Sequence, residues 1–271
     1  MNKIIEKSQL SENVVKFIVE APLIAKSRKA GNFVILRVGK KGERIPLTIV
    51  DSDVDKGTIT LIVQNVGVSS AKLCKLNVGD EITDLVGPLG KATRIHKVGT
   101  LLALGGGVGI APLYPIVEAF KKAGNRVITV LAARNKDLLI LEEDMRKWSD
   151  EVIVMTDDGS AGKKGLVTEG AEEVIKREKI DECIAIGPAI MMKFCAQLTR
   201  KYEIPTQVSL NTIMVDGTGM CGACRVTVNG ETKFTCVDGP EFNAHQIDFD
   251  ELLMRLQAYK KEEDRARDKA K

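Results

Sequence analysis

The chain has 271 residues, of which 44% are hydrophobic and 28% are charged, and its formal net charge is +3. This length is sufficient for about two domains with their own cores, and the composition is that of an ordinary soluble protein. A small net charge without a basic block interleaved with aromatics argues against nucleic-acid binding. No apolar run reaches membrane-spanning length, and the N-terminus lacks the apolar core of a signal peptide, so we expect a cytoplasmic protein that does not engage a membrane.

Residues 1–95 are predicted to form an antiparallel β barrel. Four segments rich in β-branched residues are separated by glycines, as is typical of short strands. These segments are residues 14–19, 33–38, 47–50 and 58–63. One helix is expected from Ser69 to Leu76, with Ser69 or Ser70 as its cap, and its N-terminus, preceded by Gly67, is expected to offer free amides to a phosphate. Residues 78–80 and 87–90 are predicted to be turns between the last strands.

Residues 96–208 are predicted to form an α/β domain with a five-stranded parallel sheet. Strand candidates alternate with helical patterns, which indicates a sheet covered by helices on both faces. The strands are expected at 101–104, 127–130, 152–155, 183–186 and 207–210, and the helices at 110–123, 137–148, 166–177 and 189–202. Ligands of such sheets bind at the carboxyl ends of the strands.

A glycine-rich turn, Gly105-Gly106-Gly107-Val108-Gly109, follows the first of these strands, and Pro112 falls in the first turn of the next helix. The arrangement is typical of a pyrophosphate site, although an ordinary tight turn also fits, because the pattern is not a full G-x-G-x-x-G. Asp157 and Gly187-Pro188 follow later strands at the same edge. Arg134 stands where an acidic ribose reader is usual, so the choice between NAD and NADP stays open.

Residues 209–245 are predicted to bind a metal. Cys221, Cys224 and Cys236 lie close together, and this grouping in a cytoplasmic protein indicates metal rather than disulfide. Asp216, five residues before Cys221, stands where a fourth ligand is needed. Glycines between the ligands match a [2Fe–2S] loop better than a structural zinc knuckle, which nevertheless stays an alternative.

Residues 246–271 are predicted to be a helical tail, because apolar residues recur at helical spacing up to Tyr259 and mixed charges follow. The tail is expected to pack on its own chain, to pack on a partner, or to fray. The other three cysteines lie in apolar patterns and are predicted to be buried small hydrophobes. They are Cys74, Cys183 and Cys195.

The order of barrel, glycine-turned α/β half and cysteine loop resembles the ferredoxin–NADP reductase superfamily. The segments that carry the resemblance are Arg44-Ile45-Pro46-Leu47-Thr48, Gly105-Gly106-Gly107-Val108-Gly109-Ile110-Ala111-Pro112, Gly187-Pro188, and Ser209-Leu210-Asn211 running into Asp216–Cys224. The chain is similar to the branch that includes the electron-transfer subunit of dihydroorotate dehydrogenase. Within that branch it is most similar to the small subunits of NADH-dependent reduced ferredoxin–NADP oxidoreductases, also known as sulfide dehydrogenase subunits.

This resemblance implies FAD on the barrel. Pro46, Leu47 and Thr48 are then expected under the isoalloxazine ring. Arg44 lies one residue before the position of the family's arginine, so the resemblance leaves open whether it contacts the flavin pyrophosphate. The second flavin segment is expected to comprise Ile62, Val63 and Gln64 together with Gly67, Ser69 and Ser70.

The resemblance also implies NAD(H) along the glycine turn, with Ala111 and Pro112, and a nicotinamide ring near Gly187-Pro188. Arg134 and Asp157 are further candidates for contacts with the nucleotide. The implied cluster ligands are Asp216, Cys221, Cys224 and Cys236. The dihydroorotate dehydrogenase branch has cysteine at the first ligand position, whereas aspartate there resembles the ferredoxin–NADP oxidoreductase branch.

The function implied is electron transfer between NAD(H), FAD and a [2Fe–2S] cluster, in a heterodimer with a larger subunit that carries a second flavin and further clusters. Ferredoxin and NADP(H) would react on that partner, and the net reaction would be an electron-bifurcating transhydrogenation. No residue is expected to be catalytic, because hydride transfer needs no general base. Two alternatives stay open: an electron-transfer subunit for NAD-dependent dihydroorotate oxidation, and a non-catalytic module with structural zinc and a regulatory nucleotide.

Overall fold

The computed structural model describes residues 2–270, with the side chains of residues 2–269. The strands, in chain order, are β1 (Ile4–Ser11), β2 (Val14–Glu20), β3 (Phe33–Arg37), β4 (Arg44–Asp53), β5 (Thr58–Gln64), β6 (Asp84–Leu89), β7 (Thr100–Gly106), β8 (Arg126–Ala133), β9 (Glu151–Thr156), β10 (Lys163–Lys164), β11 (Glu182–Ile186), β12 (Thr206–Ser209), β13 (Arg225–Val228), β14 (Glu231–Phe234) and β15 (Glu241–Asn243). The helices are α1 (Pro22–Ser27), α2 (Val68–Cys74), α3 (Ile110–Lys122), α4 (Glu142–Trp148), α5 (Val167–Arg177), α6 (Ala189–Lys201), α7 (Thr235–Asp238), α8 (Phe249–Leu256) and α9 (Lys260–Ala270).

The chain packs into two compact units, and neither is continuous in sequence. The barrel unit comprises residues up to 92, residues 212–239 and residues from 250 onward. The α/β unit comprises residues 93–211 and 240–249. The cysteine segment therefore packs with the barrel. The division of the sequence into residues 1–95, 96–208, 209–245 and 246–271 stays a prediction.

The barrel unit is built on a six-stranded antiparallel sheet with the order β1-β2-β5-β4-β3-β6. Lys3 forms an antiparallel bridge with Glu81, so the chain just ahead of β6 returns to the start of β1. Alternate strand residues face a buried core that includes Phe17, Val34 and Ile59. This is the antiparallel N-terminal domain that the β-branched pattern predicts.

Two strands of this sheet differ from the prediction. No strand is predicted at the position of β1, because its mostly exposed residues hide the alternation of apolar side chains. The prediction that residues 87–90 form a turn was wrong: Gly87–Leu89 lie in β6, which pairs with β3. A proline is tolerated there because β6 is a terminal strand of the sheet.

The α/β unit is built on a sheet with the order β10-β9-β8-β7-β11-β12-β15. The five predicted strands, β7, β8, β9, β11 and β12, are parallel and form its centre, as expected. A two-residue parallel strand, β10, and an antiparallel strand, β15, extend the sheet at its two edges. The sequence pattern did not indicate either of them.

Three of the four predicted helices of this unit begin and end within a residue or two of their expected bounds. The exception is α4, which begins at Glu142 rather than at residue 137, after a 3-10 turn at Lys136–Leu138. Leu141 has a left-handed backbone with φ of 56°, which a helix cannot include. Within the described residues, no helix has both the length and the apolar composition needed to span a membrane.

Candidate redox site: the cysteine loop and the nucleotide turn

A β hairpin brings two of the predicted sulfur ligands together. Strands β13 and β14 pair in antiparallel register, and Cys224 precedes the first strand while Cys236 follows the second. The Thr235 amide and hydroxyl both donate to the Cys224 carbonyl, at 3.1 and 2.9 Å, which fixes the two ends of the hairpin. The Sγ atoms of Cys224 and Cys236 consequently lie 3.3 Å apart.

The third sulfur, Cys221, lies at the surface among peptide N–H groups. The amide of Ala223 is the main cause that lowers the pKa of Cys221, and the amides of Asp216 and Val215 act in the same direction. By contrast, burial raises the pKa of Cys236 to about 12, and the neighbouring Cys224 adds to this effect. The Cys236 thiol therefore holds its proton until a cation compensates the charge of its thiolate.

The Asp216 carboxylate lies in the same loop and faces loop donors. Its Oδ2 accepts hydrogen bonds from the Thr218 amide at 2.8 Å, the Thr218 hydroxyl at 2.7 Å and the Met220 amide at 3.2 Å. The Thr218 hydroxyl is the largest cause that lowers the pKa of Asp216. Among residues 2–270, the side-chain placement does not gather three histidine, cysteine or acidic ligands into one metal-binding group. The four-ligand set therefore stays a prediction.

The donor chemistry nevertheless fits an iron–sulfur group. Three sulfurs lie in one 16-residue stretch, and the Gly219 amide also lowers the pKa of Cys236. Two sulfurs that share a tetrahedral metal at about 2.3 Å lie about 3.8 Å apart, so the Cys224–Cys236 pair needs only a small displacement. Gly217, Gly219 and Gly222 all have positive φ, between 66° and 87°, which gives the loop the curvature that turns its amides toward sulfur. To bind iron, the Asp216 carboxylate has to give up hydrogen bonds that it accepts from Thr218 and Met220.

The cysteine loop, defined here as Asp216–Cys236, packs on the outer side of the barrel sheet. A Cβ atom on Gly217 would lie 2.7 Å from Cγ1 of Ile35 and 2.9 Å from Cδ1 of Leu89, so only glycine fits at this contact. Cys224 and Cys236 belong to a small apolar cluster with Phe33, Ile35 and Met214. The loop is thus seated on β3 and β6.

The predicted flavin residues lie on neighbouring strands of the same unit. Arg44 to Thr48 belong to β4 and Ile62 to Gln64 to β5, and these two strands pair in antiparallel register. Pro46 is paired with Ile35, the β3 residue on which the cysteine loop packs. The structure therefore brings the first flavin segment and the cysteine loop to adjacent positions on one sheet.

Arg44 provides a direct link between β4 and the loop. Its Nη2 lies 3.4 Å from the Asp216 carbonyl oxygen, a long hydrogen bond. Its Nε is buried and, among the described residues, has no hydrogen-bond partner. A buried donor of this kind fits an acceptor on a bound group, such as the flavin pyrophosphate.

Helix α2 begins differently from the prediction. Gly67 is its N-cap, and the Ser70 hydroxyl accepts from the amides of Val66 and Gly67 at 3.0 and 2.9 Å. The prediction that Ser69 or Ser70 is the N-cap was therefore wrong, whereas binding of a phosphate by the first amides of α2 stays a prediction. The Ser69 hydroxyl donates to Glu43 at 2.9 Å. Ser70 shapes this turn, and direct contact of Gly67 and Ser69 with a flavin stays a prediction.

In the α/β unit, the glycine turn closes tightly on the turn after β11. Gly105 is paired with Ile186 in the sheet, so the turns after β7 and β11 lie side by side. A Cβ atom on Gly109 would lie 2.5 Å from the Ile186 carbonyl oxygen and 2.7 Å from the Gly187 Cα atom. The structure therefore joins the predicted pyrophosphate turn to the predicted nicotinamide segment at the carboxyl ends of the strands.

The remaining nucleotide candidates lie on the other side of β7. The Asp157 amide donates to the Ala133 carbonyl at 3.1 Å, and the Asp158 amide donates to the Arg134 carbonyl at 3.3 Å. The loops after β8 and β9 are thus joined at the same edge, and the Arg134 and Asp157 side chains are exposed. Ala111 and Pro112 lie in the first turn of α3, as predicted.

Other features of the described residues lie away from these motifs. A cavity of about 410 Å³ opens beside β9 between paired charges such as Arg177 and Glu151, and none of the predicted nucleotide residues lines it. Cys183 and Cys195 are buried as predicted, whereas Cys74 is only partly buried. Sequence reasoning missed Arg255, which contacts the cysteine loop from α8. Its only signal was a basic residue on the apolar-patterned tail.

Comparisons with known proteins agree with this architecture. Residues 2–93 match the oxidoreductase FAD-binding domain, and residues 103–197 match the oxidoreductase NAD-binding domain. Residues 211–248 match the iron–sulfur cluster binding domain of dihydroorotate dehydrogenase B. The three models together cover 225 of the 271 residues, in the order that the sequence predicts.

Similar proteins span the same length. A Thermotoga maritima protein named dihydroorotate dehydrogenase B (NAD(+)), electron transfer subunit homolog, is 49% identical over 263 residues, which cover 97% of this chain and 93% of the relative. A Methanocaldococcus jannaschii protein, named a probable electron transfer subunit of the same enzyme, is 40% identical over 69% of this chain and 71% of the relative. A solved structure of an NADH-dependent reduced ferredoxin–NADP oxidoreductase, described in terms of flavin-based electron bifurcation, is 48% identical with a TM-score of 0.94, over 99% of this chain and 97% of that one.

Proposed function

The chain belongs to the family of FAD- and NAD-binding electron-transfer subunits that carry the iron–sulfur domain of dihydroorotate dehydrogenase B, and from this premise we propose that it serves an NADH-dependent ferredoxin:NADP oxidoreductase. It is an oxidoreductase subunit whose cofactors are FAD, NAD(H) and an iron–sulfur cluster. In the proposed role it carries electrons between NAD(H) and a larger partner subunit in an electron-bifurcating transhydrogenase.

The observation that supports this proposal best is that the cysteine loop packs on the sheet that contains the predicted flavin-binding strands. Gly217 packs against Ile35, Ile35 is paired with Pro46, and Arg44 approaches the Asp216 carbonyl. A flavin held by β4 and a cluster held by the loop would thus share one compact unit. This arrangement suits a short electron path, whereas a zinc knuckle with no redox role would have no need of the flavin strands.

When bound, the flavin accepts a hydride from NADH and the cluster carries single electrons onward. The chain's own residues bind and orient these groups. The glycine turn leaves room for a pyrophosphate at the start of α3, the β4 and β5 segments flank the flavin, and the amides around Cys221 stabilise negative charge on sulfur.

The partner and its reactions belong to the same proposal. We expect a heterodimer with a larger flavin and iron–sulfur subunit, on which ferredoxin and NADP(H) react, in the cytoplasm. Support comes from the 48% identity and near-complete overlap with the ferredoxin–NADP oxidoreductase chain. Aspartate at position 216, where the dihydroorotate branch has cysteine, supports the same assignment.

The second candidate is the electron-transfer subunit of an NAD-dependent dihydroorotate dehydrogenase. The names of the Thermotoga and Methanocaldococcus relatives and the matched iron–sulfur domain favour it. The two candidates differ in the partner rather than in the cofactors of this chain. Purification of the native complex distinguishes them: a flavin and iron–sulfur partner supports the first candidate, and a dihydroorotate-oxidising partner supports the second.

The cofactor proposal is tested on the purified full chain after anaerobic reconstitution. We expect one FAD and about two irons per chain, a visible spectrum with flavin and iron–sulfur bands, and bleaching by NADH faster than by NADPH. D216C is expected to retain both irons and to change the cluster spectrum, because a thiolate is a softer and more covalent iron ligand than a carboxylate. A colourless protein that contains zinc, or a D216C variant with an unchanged cluster spectrum, contradicts the proposed ligand set.

A further inference from the structure

We propose that Arg255 and Arg44 are positioning residues that hold the two ends of the ligand stretch Asp216–Cys224 and thereby set the retention and the reduction potential of the cluster. The inference rests on the proposed [2Fe–2S] centre and concerns how this chain holds it. The two arginines come from different parts of the barrel unit, α8 and β4. Both act on backbone carbonyls of the loop rather than on its sulfurs.

The contact of Arg255 is at the centre of the Cys-x-x-Cys segment. Its Nη2 donates to the Ala223 carbonyl at 3.2 Å, across 32 residues of sequence. Leu252 of the same helix is buried, so α8 is anchored to the unit, whereas Met254 is exposed. The guanidinium therefore reaches the loop from a fixed helix rather than from a free tail.

The Ala223 carbonyl belongs to the peptide unit that joins Ala223 to Cys224. Arg255 therefore contacts the peptide bond that directly precedes the predicted sulfur ligand Cys224. A peptide whose carbonyl accepts from a cation is fixed in orientation, and its N–H becomes a stronger donor. Arg255 thus fixes the backbone that carries one of the predicted iron ligands without touching that ligand.

Arg44 plays the corresponding part at the other end of the stretch. It lies on β4 and approaches the carbonyl of Asp216, 172 residues away in sequence. Its contact is longer, at 3.4 Å, but its guanidinium is partly buried against the barrel. The residue that follows Asp216, Gly217, is the one packed on Ile35 and Leu89, so this end of the stretch is held by both packing and charge.

Both contacts also bring positive charge next to a group that becomes more negative when it is reduced. Nearby positive charge stabilises the reduced form and raises the reduction potential. Lysine keeps the charge but lacks the planar fork and reach of arginine, so it conserves the electrostatic effect better than the geometry. Glutamine removes the charge and most of the reach.

The test uses the full chain, reconstituted with flavin and cluster, in four forms: wild type, R255Q, R255K and R265Q. Arg265 is an exposed residue of α9 on the same tail, so R265Q makes the same change of net charge away from the loop. The readouts are flavin content, the rate of iron loss to a chelator, and the cluster potential from an EPR-monitored redox titration. We expect R255Q to keep its flavin, to lose iron several-fold faster, and to lower the reduction equilibrium constant about threefold to tenfold, where tenfold is about 59 mV for one electron. R255K is expected to restore most of the potential, and R265Q to match the wild type.

The inference is overturned if R255Q matches the wild type in both iron loss and potential, or if R265Q shifts the potential as far as R255Q. If R255Q loses flavin together with iron, its fold has failed and R255K decides: faster iron loss with full flavin supports the inference, and wild-type iron retention overturns it. If the wild-type chain does not take up two irons, this result contradicts the proposed function itself.

An R44Q variant separates the two roles open to Arg44. If it holds the loop, R44Q loses iron faster and keeps its flavin, as R255Q does. If it binds the flavin pyrophosphate instead, R44Q loses flavin before iron, and the part of the inference that concerns Arg44 is overturned.

Discussion

The cysteine loop and the nucleotide turn are both glycine-rich, yet they obtain their shapes from different sources. The nucleotide turn follows β7, whose residues Leu101 to Leu104 are completely buried, and the close approach of Gly109 to Gly187 fixes it. The cysteine loop has a short two-stranded hairpin and is held by side chains from elsewhere, such as Arg44 and Arg255. The turn is therefore formed by the sheet before any ligand binds, whereas the loop depends on its contacts and its metal.

The largest expected effect is on the loop, from C236S. The variant removes one sulfur of the buried Cys224–Cys236 pair, and a hydroxyl is a poor ligand for iron, so we expect nearly all of the iron to be lost while FAD is retained. Iron and flavin analysis of the purified chain measures this. C74S is the matched control, because Cys74 lies on α2 of the same unit and outside the loop. Equal iron in C236S and C74S would remove Cys236 from the ligand set.

The second effect tests the rigidity of the nucleotide turn, with G109A. A methyl group at this position meets the Ile186 carbonyl and the Gly187 backbone, which cannot move without disturbing the sheet, so we expect a loss of about 3 kcal/mol in unfolding free energy and at least tenfold weaker NADH binding. Urea unfolding and an NADH titration measure the two quantities.

G107A is the matched control in the same turn. Its Cβ atom would meet nothing within 4 Å, and only the positive φ of 56° is penalised, at about 1 kcal/mol. If G107A is as damaging as G109A, the turn is not fixed by the approach to Gly187 and the contrast with the cysteine loop fails.

The third prediction concerns the pH dependence of the unfolding free energy of the α/β unit, which Glu241 on β15 is expected to cause. Burial raises the pKa of Glu241 from 4.5 to about 7, against the hydrogen bond that the Thr93 hydroxyl donates at 2.5 Å. Between these two values the unfolded chain ionises while the folded one holds its proton, so stability falls as pH rises from about 4.5 to about 7 and is level above. The E241Q variant has no ionisable carboxyl group at this position, so it does not lose stability in this way. A difference of about 2.5 pH units corresponds to about 3 kcal/mol as an upper value.

We therefore expect E241Q to gain stability relative to the wild type between pH 5 and pH 8, with no change in iron content. Urea unfolding at the two pH values measures the gain. A constant difference between the two proteins at both pH values would show that Glu241 does not ionise in this range.

The smallest effect is expected from removal of the chain after Tyr259. The side chains of residues 260–269 are exposed, and the contacts of α9 within the described residues are mainly with α2. We therefore expect a loss of less than about 1 kcal/mol in unfolding free energy and unchanged iron retention. The unfolding midpoint and the rate of iron loss to a chelator measure this. Rapid iron loss would show that the tail supports the cysteine loop beyond Arg255.

Local sequence patterns predicted most of the fold. Runs of β-branched residues and alternation of strands with helices identify the centres of both sheets, because these patterns reflect burial on one or two faces. The misses have physical reasons: β1 is mostly exposed, β6 contains Pro88 in a terminal position, and α4 is shortened by the left-handed Leu141.

The candidate site was predictable only in its local parts. Spacing identifies Cys221, Cys224 and the glycine turn, because the groups that must meet are close in sequence. The contacts of Arg44 with Asp216 and of Arg255 with Ala223 join distant segments, so no short pattern indicates them. The hydrogen bond that the Gly67 amide donates to the Ser70 hydroxyl likewise depends on the rotamer of Ser70, which the residue type does not determine.

The interleaved connectivity of the two units sets an order for biosynthesis. The barrel unit contains residues 2–92, but it also needs residues 212–239 and the helix that begins near residue 250. On the ribosome, the flavin strands emerge first and must wait until the whole α/β unit has been made before their last neighbours arrive. Because the last of the proposed ligands, Cys236, is also translated after residues 93–211, a complete ligand set is available only late in translation.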